Sequence, residues 1–243
     1  WKYKIGAVLP PLPPTTFFQY KPTGVYNGMI APLKNYPLTG ILWYQGESNA
    51  KQPDNYHLLF KALIDNWRKN WQREDLPFLF VQLPNFEAAL MEKTPEANWA
   101  KIREAQRLTL SVPHTAMAVT IDAGEYNDLH PQNKKTVGQR LALGARRLVY
   151  GEEIVAQGPC LRKMIVRGQV VALFFTNTGK GLVAKGGLLG GFELCGADRK
   201  FHPATAEIAG DRILVSSPAV VQPVGVRYAW ADNPVTANLY NQD

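Results

Sequence analysis

Hydrophobic residues between positions 39 and 151 occur in two kinds of pattern that alternate along the chain. The first is a short, continuous apolar run of strand length, and such runs lie at residues 39–42, 78–83 and 115–121. The second is a longer stretch in which apolar residues recur every three or four positions, at residues 56–71, 96–110 and 133–150. Strands that alternate with amphipathic helices predict a parallel sheet covered by helices on both faces.

The same pattern gives details of the predicted helices. Asp54 is the expected N-cap of the first helix, and Leu59 and Leu63 are expected on its buried face. Gly151 is expected at the C′ position that ends the third helix. Arg103, in the second helix, is expected to be an exposed ion-pair partner rather than a substrate ligand.

The pattern changes after the third helix. From residue 160 to 230, short β-branched runs alternate with glycine-rich turns, which predicts a small antiparallel β unit. We therefore expect an α/β domain over residues 1–155 and a β-rich accessory module over residues 156–243. In residues 1–38, seven prolines predict irregular chain in place of long helices, with a pinned turn at residues 26–30.

The overall composition favours an ordinary globular protein, with 46% hydrophobic residues, 19% charged residues and a net charge of +7. The basic residues are scattered, and the densest group lies on the third predicted helix, which indicates a solvated face and no nucleic-acid partner. No apolar run approaches the roughly 18 residues that cross a bilayer, so no membrane span is expected. No phosphate loop, dinucleotide motif or metal-binding cluster appears, so no cofactor is expected.

The two cysteines, Cys160 and Cys195, do not have the spacing of a zinc site. They either form one disulfide in an exported protein or remain two buried thiols, and the sequence leaves both open. A single bridge is optional in a chain of 243 residues, because a core of that size is stable without one.

Polar residues follow the first predicted strand directly, in the segment Gln45-Gly46-Glu47-Ser48-Asn49. Open α/β sheets bind their ligands at the carboxyl ends of the strands, where this segment is expected to lie. The Gly46 N–H and the Gln45 amide are suited to donate to a developing oxyanion. The alternative interpretation is a polar turn that caps the following helix. Ser48 is also a candidate nucleophile, although the segment lacks the Gly-x-Ser-x-Gly elbow.

A second polar cluster, Asp128-Leu129-His130-Pro131, follows the third predicted strand. A histidine at such a loop–helix junction is suited to act as the general base of acyl transfer when a carboxylate orients its ring. Asp128 is the nearest carboxylate, with Asp122 and Glu125 as rivals in the same loop. The alternative is a surface histidine that caps a turn. Because both clusters follow strands of one parallel sheet, we predict one active site in which His130 is the base.

Several motifs of this chain occur together in one known family. They are Tyr26-Asn27-Gly28-Met29-Ile30, Trp43-Tyr44-Gln45-Gly46-Glu47-Ser48-Asn49-Ala50, Arg103-Glu104-Ala105-Gln106, Asp128-Leu129-His130-Pro131 and Val226-Arg227-Tyr228-Ala229-Trp230. In this combination the chain resembles the sialate O-acetylesterases, which are carbohydrate esterases of the SGNH hydrolase superfamily. The resemblance covers most of the chain from about residue 22.

The resemblance implies a flavodoxin-like SGNH fold, a three-layer α/β/α arrangement with a parallel sheet, and an added β module. It implies hydrolysis of O-acetyl esters of sialic acids by a serine–histidine–acid mechanism without a metal, and export to the periplasm or outside the cell. His130 matches the family's catalytic histidine and Asp128 is chosen as its acid, although the typical spacing would place the acid at Asn127. The implied oxyanion-side or substrate-binding residues are Asn27, Gln45, Gly46 and Glu47.

The chain departs from the family pattern in one respect. The family nucleophile lies in an N-terminal Gly-Gln-Ser-Asn segment, and this sequence contains no such segment. The resemblance therefore implies the C-terminal part of an esterase, whose sheet is incomplete on its N-terminal side and whose serine is supplied upstream. Two alternatives stay open, namely an acetylxylan or other polysaccharide acetylesterase and a non-catalytic glycan-binding fragment.

Overall fold

A computed structural model of the protein describes residues 20–87 and 98–242, together with positions 2, 4, 6, 7, 10 and 15–17. The chain forms two compact units, Trp1–Leu38 and Thr39–Asp243. In the described part of the first unit, a π-helical turn at Tyr26–Ile30 leads into a 3-10 helix at Ala31–Leu33. These short turns agree with the irregular chain that the prolines predict.

The second unit contains a parallel sheet of three short strands. The strands are β1 (Ile41–Trp43), β2 (Phe78–Val81) and β3 (Thr115–Ala118), and they lie in the order β1-β2-β3. Both neighbouring pairs are parallel, which confirms the parallel sheet that the sequence predicts. The carboxyl ends of all three strands consequently lie at the same edge of the sheet.

Helices cover both faces of this sheet. They are α1 (Tyr56–Trp71), α2 (Asn98–Leu108) and α3 (Lys134–Leu148), and α2 packs beside α1. The ring of Phe60 on α1 meets that of Phe80 edge-on, with ring centroids 5.0 Å apart. On α3, a Cβ added to Gly144 would lie 3.2 Å from Leu79 Cδ2. Because neighbouring strand residues point to opposite faces, α1 and α3 cover opposite sides of the sheet.

The ends and the phase of two helices differ from the sequence prediction. Asp54 is not the N-cap of α1, because it lies in the preceding 3-10 helix, Pro53–Asn55, and Asn55 occupies the capping position. Leu59 is 57% exposed, since α1 is oriented by the packing of Phe60 on the sheet. The third helix ends at Leu148, before the predicted C′ residue; Gly151 does adopt a left-handed backbone with φ of 70°.

The rest of the second unit is a set of antiparallel sheets. Their strands are β4 Cys160–Arg167, β5 Val170–Thr176, β6 Leu182–Ala184, β7 Phe192–Cys195, β8 Phe201–Pro203, β9 Thr205–Ala209, β10 Arg212–Ser216, β11 Gly225–Tyr228 and β12 Leu239–Asn241. A four-stranded sheet has the order β4-β5-β10-β9, a three-stranded sheet the order β11-β7-β8, and a two-stranded sheet pairs β12 with β6. A shared core that includes Leu173, Leu194 and Ile213 holds them together. The predicted antiparallel β unit is confirmed.

The predicted division of the chain near residue 155 stays a prediction. The compact unit Thr39–Asp243 contains both the parallel sheet and the antiparallel sheets.

Cys160 and Cys195 are free thiols in the structure, and Cys195 is buried. Among the residues described, no helix combines the length and the apolar character needed to cross a membrane.

Arg103 is buried, which makes the predicted exposed ion pair wrong. Only 4% of its surface is exposed, and its guanidinium donates to carbonyl oxygens of Ala229, Ala231 and Asp232. Burial lowers the pKa of Arg103 to about 10, and the nearby charge of Asp232 acts in the opposite direction. The Asp232 carboxylate also accepts the main-chain N–H of Trp99, at 3.1 Å, in the first turn of α2. The segment at 229–232 therefore fixes both an end and a side of α2.

Replacing Arg103 with methionine is expected to lower the free energy of unfolding by about 3 kcal/mol, because buried carbonyl oxygens lose their donor. Arg107 offers a matched control on the same helix, since its side chain is 56% exposed and pairs with Glu104. The Arg107→Met variant should lose at most about 1 kcal/mol. Urea unfolding of both variants measures the difference. Equal losses of stability would contradict a clamp between Arg103 and the carbonyl oxygens of residues 229–232.

Candidate active site

The turn that follows β1 is held by hydrogen bonds to its main chain and to its side chains. The carbonyl oxygen of Gln45 accepts the hydroxyl of Tyr56 at 2.8 Å and the amide of Gln106 at 3.1 Å. The side-chain amide of Gln45 donates to Asn49 Oδ1 at 2.8 Å. Gln45 therefore has a fixed position at the carboxyl end of β1, as its predicted role requires.

Position 46 requires glycine because there is no room for a side chain. Its backbone does not require glycine, since a φ of 162° is extended backbone that any residue adopts. An added Cβ would lie 3.0 Å from Gln106 Nε2, 3.1 Å from Ile102 Cγ2 and 3.2 Å from Leu83 Cδ1. Its N–H, the predicted oxyanion donor, donates to Glu47 Oε2 at 2.8 Å. An oxyanion can use this N–H only when the Glu47 carboxylate moves aside.

Two side chains of this site were not identified as functional from the sequence. Gln106 is 1% exposed, and it links two strand ends because its Oε1 accepts the N–H of Leu83 at 2.9 Å while its amide donates to Gln45. Tyr56 is also buried, and this burial raises its pKa to about 12. The sequence signal that could have revealed Gln106 is a glutamine that shares a helix face with Trp99 and Ile102.

The loop between β3 and α3 contains the predicted base. His130 is exposed there, and its main-chain N–H donates to Asp128 Oδ1 at 2.7 Å. Glu125, one of the rival acids, accepts the main-chain N–H of Gln132 at 3.1 Å. The Asp128 carboxylate thus lies beside His130, where the structure shows it bound to the main chain.

Asp122, the other rival, has partners of its own. Its carboxylate forms an ion pair with Arg140, whose Nη2 lies 2.8 Å from Oδ2, and it accepts the hydroxyl of Tyr240 at 2.7 Å. Burial acts to raise the pKa of Asp122, but hydrogen bonds from Arg140 and Tyr240 outweigh it, so the pKa lies below its ordinary value. Asp122 therefore connects the loop to α3 and to β12.

The stability supplied by Asp122 is expected to depend on pH. A lowered pKa in the folded state means that the stabilisation is complete above the ordinary pKa of 3.8 and disappears as the pH falls through the lower folded value. At pH 6 the Asp122→Asn variant should unfold at a lower urea concentration than the original protein, and the difference should shrink as the pH falls through the lowered folded pKa of Asp122. Asp54→Asn, at an exposed position, is the control and should follow the original protein throughout. A gap that stays constant with pH would contradict this role.

The histidine loop also rests on the segment that follows β2. The Gly124 N–H donates to Asn85 Oδ1 at 2.8 Å, and the Glu87 N–H donates to the carbonyl oxygen of Tyr126 at 2.7 Å. A Cβ added to Gly124 would lie 2.4 Å from the Asn85 carbonyl oxygen, so no larger residue fits this contact. The position of the loop is therefore set by the neighbouring strand end.

Both predicted clusters follow strands of the parallel sheet, and one contact joins the segments next to them. Lys134, in the first turn of α3, places its Nζ 5.2 Å from the ring centroid of Tyr44, the residue that precedes Gln45. Because His130 lies four positions before Lys134 in the chain, the loop after β3 and the turn after β1 flank one region. The segment after β2 lies beside both of them, because a Cβ added to Gly46 would lie 3.2 Å from Leu83 Cδ1 and Asn85 Oδ1 accepts the Gly124 N–H.

The remaining candidates are placed as follows. Asn27 lies in the first compact unit, where its side chain donates to Thr23 Oγ1 at 3.2 Å, and its substrate contact stays a prediction. Ser48 is exposed in the 3-10 turn Glu47–Asn49. Within the described ranges, no group of three or more histidine, cysteine, aspartate or glutamate side chains is arranged to hold a metal ion.

The chain matches one protein family over more than half of its length. The family is described as a carbohydrate esterase, sialic acid-specific acetylesterase, and the match covers residues 13–146. The matched region includes the turn after β1 and the histidine loop after β3.

Relatives and solved structures agree with this match. The chain is 36% identical to the human sialate O-acetylesterase over 159 residues, which is 58% of this chain and 30% of that protein. The mouse enzyme is likewise 36% identical, over 58% of this chain and 29% of its own length. A crystal structure of a carbohydrate acetylesterase from Xanthomonas citri superposes with a TM-score of 0.85 at 46% identity, covering 90% of this chain and 51% of that one. The chain thus spans less than a third of these mammalian relatives and about half of the bacterial protein.

Proposed function

Because the chain belongs to the carbohydrate esterase family of sialic acid-specific acetylesterases, we propose that it forms the histidine-bearing part of an O-acetylesterase that acts on sialic acids. The observation that carries the proposal is the contact of Lys134, just after the histidine loop, with Tyr44, which precedes the turn after β1, at the edge where both strands end. This edge is where open α/β sheets bind their ligands.

In the proposed mechanism, a serine Oγ attacks the carbonyl carbon of the acetyl ester while His130 takes the serine proton. The tetrahedral intermediate collapses, His130 donates the proton to the departing sugar oxygen, and an acetyl-serine remains. Water then attacks this second ester with His130 again as the base, which releases acetate and restores the serine. Asp128 is the proposed acid partner, and it stays beside the histidine because its Oδ1 accepts the main-chain N–H of His130 at 2.7 Å.

The turn after β1 is proposed to stabilise the oxyanion of that intermediate. The Gly46 N–H and the Gln45 amide are its donors once Glu47 and Asn49 release them. Gln106 and Tyr56 act through the Gln45 carbonyl, so they position the turn. Because the main chain of the turn is already held, only the Glu47 and Asn49 side chains have to release the two donors before these can stabilise the developing charge.

The serine itself is proposed to come from a segment outside these residues, because the sequence has no Gly-Gln-Ser-Asn block. The structure supports this in one way. β1 pairs only with β2 among the described strands, and Leu42, on the face opposite to Trp43, is 64% exposed. An open strand edge with an exposed leucine suits the addition of a further strand. A complete flavodoxin-like SGNH sheet and an exported protein are parts of the same proposal.

The test joins this chain to its upstream segment and measures acetate release from O-acetylated sialic acid and from an aryl acetate. The joined protein is expected to release acetate from both, whereas the 243-residue chain alone should release none. The Ser48→Ala substitution in the joined protein should leave the rate unchanged. Activity of the isolated chain that disappears with Ser48→Ala would overturn the proposal, because Ser48 would then be the nucleophile.

A broader substrate class is the second candidate. The likeness to a protein titled only as a carbohydrate acetylesterase, at 46% identity, favours it. The joined protein should be offered acetylated xylan and acetylated sialosides at equal ester concentration, and kcat/KM compared. We expect the sialosides to be preferred, and a preference for xylan would assign the chain to polysaccharide deacetylation.

A further inference from the structure

The antiparallel part of the protein contains a cavity that lies outside the candidate active site. Its volume is about 540 Å³, within the range of about 300–1,000 Å³ typical of small-molecule sites. Its walls come from β4, β5, the turn between β5 and β6, and the hairpin between β9 and β10. None of the predicted catalytic or oxyanion residues lines it.

Positive charge is concentrated in this cavity. Arg162, Lys163 and Lys180 line it, and Asp211 is the acid among its lining residues. In the part of the chain that the structure describes, none of these three cations forms an ion pair with a carboxylate. The β4–β5 register shifts between Leu161 and Lys163, so Arg162 is the extra residue of a β-bulge. Bulges redirect side chains and are common beside binding sites.

The remaining walls offer an apolar surface and main-chain groups. Phe174 and Ile165 provide the apolar surface, and Gly179 and Gly181 bring the main chain into the wall. The guanidinium of Arg212 lies 5.9 Å from the ring centroid of Phe174 and holds that ring from outside the cavity. An apolar wall with a few convergent polar groups is the usual composition of a site for a small, partly polar ligand.

From these observations we propose that the cavity is a second, non-catalytic site for a sugar that carries a carboxylate. Arg162 and the two lysines pair with the carboxylate, Phe174 packs against the ring of the sugar, and Asp211 accepts its hydroxyl groups. A partly open cavity of this size with an acid in its lining fits one or two acidic sugar units better than a nucleic acid, which requires an extended basic stripe.

The test measures binding of the methyl glycoside of N-acetylneuraminic acid to the full 243-residue chain by titration calorimetry. This probe carries no O-acetyl ester, so binding is measured apart from any turnover. We expect saturable binding that weakens at least about tenfold when the carboxylate is converted to its methyl ester, because the ester removes the charge. The Arg162→Gln/Lys163→Gln variant should weaken binding of the acid by a similar factor. Arg167→Gln, at the end of β4 and outside the cavity, should bind as the original protein does.

Each other result overturns the proposal. Equal binding of the acid and its methyl ester would show that the carboxylate is not recognised. Loss of binding in His130→Ala, with Arg162→Gln/Lys163→Gln unaffected, would move the ligand to the candidate active site. Tighter binding of inorganic phosphate or of a single-stranded oligonucleotide would indicate a general anion site or a nucleic-acid surface. Failure of the esterase assay leaves this test unchanged, because the assay does not measure binding in this cavity.

Discussion

Replacing His130 with alanine in the joined protein is expected to reduce kcat/KM for acetate release by about 10³-fold or more. The imidazole is proposed to accept and return the proton in both halves of the reaction, and the loop around His130 has no second histidine to replace it. Since the His130 ring is exposed, its removal should leave the free energy of unfolding within about 0.5 kcal/mol of the original value.

The matched control is His202→Ala, in β8 of the antiparallel part. It removes the same ring from the same protein and should leave acetate release unchanged. The assay should use both O-acetylated sialic acid and an aryl acetate, because hydrolysis of either ester requires the general base. Full activity of His130→Ala on both substrates would show that the general base lies elsewhere.

The second large effect is expected for Gly124→Ala. The added methyl group would lie 2.4 Å from the Asn85 carbonyl oxygen, 2.7 Å from Asn85 Oδ1 and 2.7 Å from Pro84 Cβ. Backbone atoms do not yield to such an overlap, so the histidine loop must shift. We expect a loss of about 2–3 kcal/mol in the free energy of unfolding. A shift of about 1 Å at the base should also reduce kcat about 100-fold.

Gly138 provides the control for this substitution. It is exposed on α3, and an added Cβ would meet no atom within 4 Å. Gly138→Ala should therefore raise the free energy of unfolding by up to about 1 kcal/mol, since alanine favours the helix, and should leave kcat unchanged. A stable, fully active Gly124→Ala protein would show that the loop is not held by its contact with Asn85.

The repeating patterns in the sequence were sufficient to predict both kinds of sheet in the fold. Alternating strands and helices predicted the parallel sheet, and short β-branched runs between glycine turns predicted the antiparallel sheets. Both depend on local periodicity, which is visible in a single sequence. The positions of Gln45 and His130 after strands also follow from the order of elements along the chain, because parallel strands end at one edge.

The main errors of the sequence analysis concern residues whose hydrogen-bond partners are distant in the sequence. Arg103 has an ordinary place on an amphipathic helix, and its burial arises from carbonyl oxygens 126 to 129 positions later. Gln106 links two strand ends that only the folded sheet brings together. The cap of α1 moved by one residue because a 3-10 turn precedes the helix, and end positions carry little periodic signal.

The clamp at Arg103 also has a consequence for the order in which the protein matures. The first turn of α2 receives the Asp232 carboxylate from 133 positions further along the chain, so that bond forms only after the segment around residue 232 has left the ribosome. α2 in turn holds the Gln45 carbonyl through Gln106. The amide–glycine turn is therefore expected to reach its final geometry only after residues 229–232 are made, and a nascent chain that stops before them would carry an unfinished candidate site.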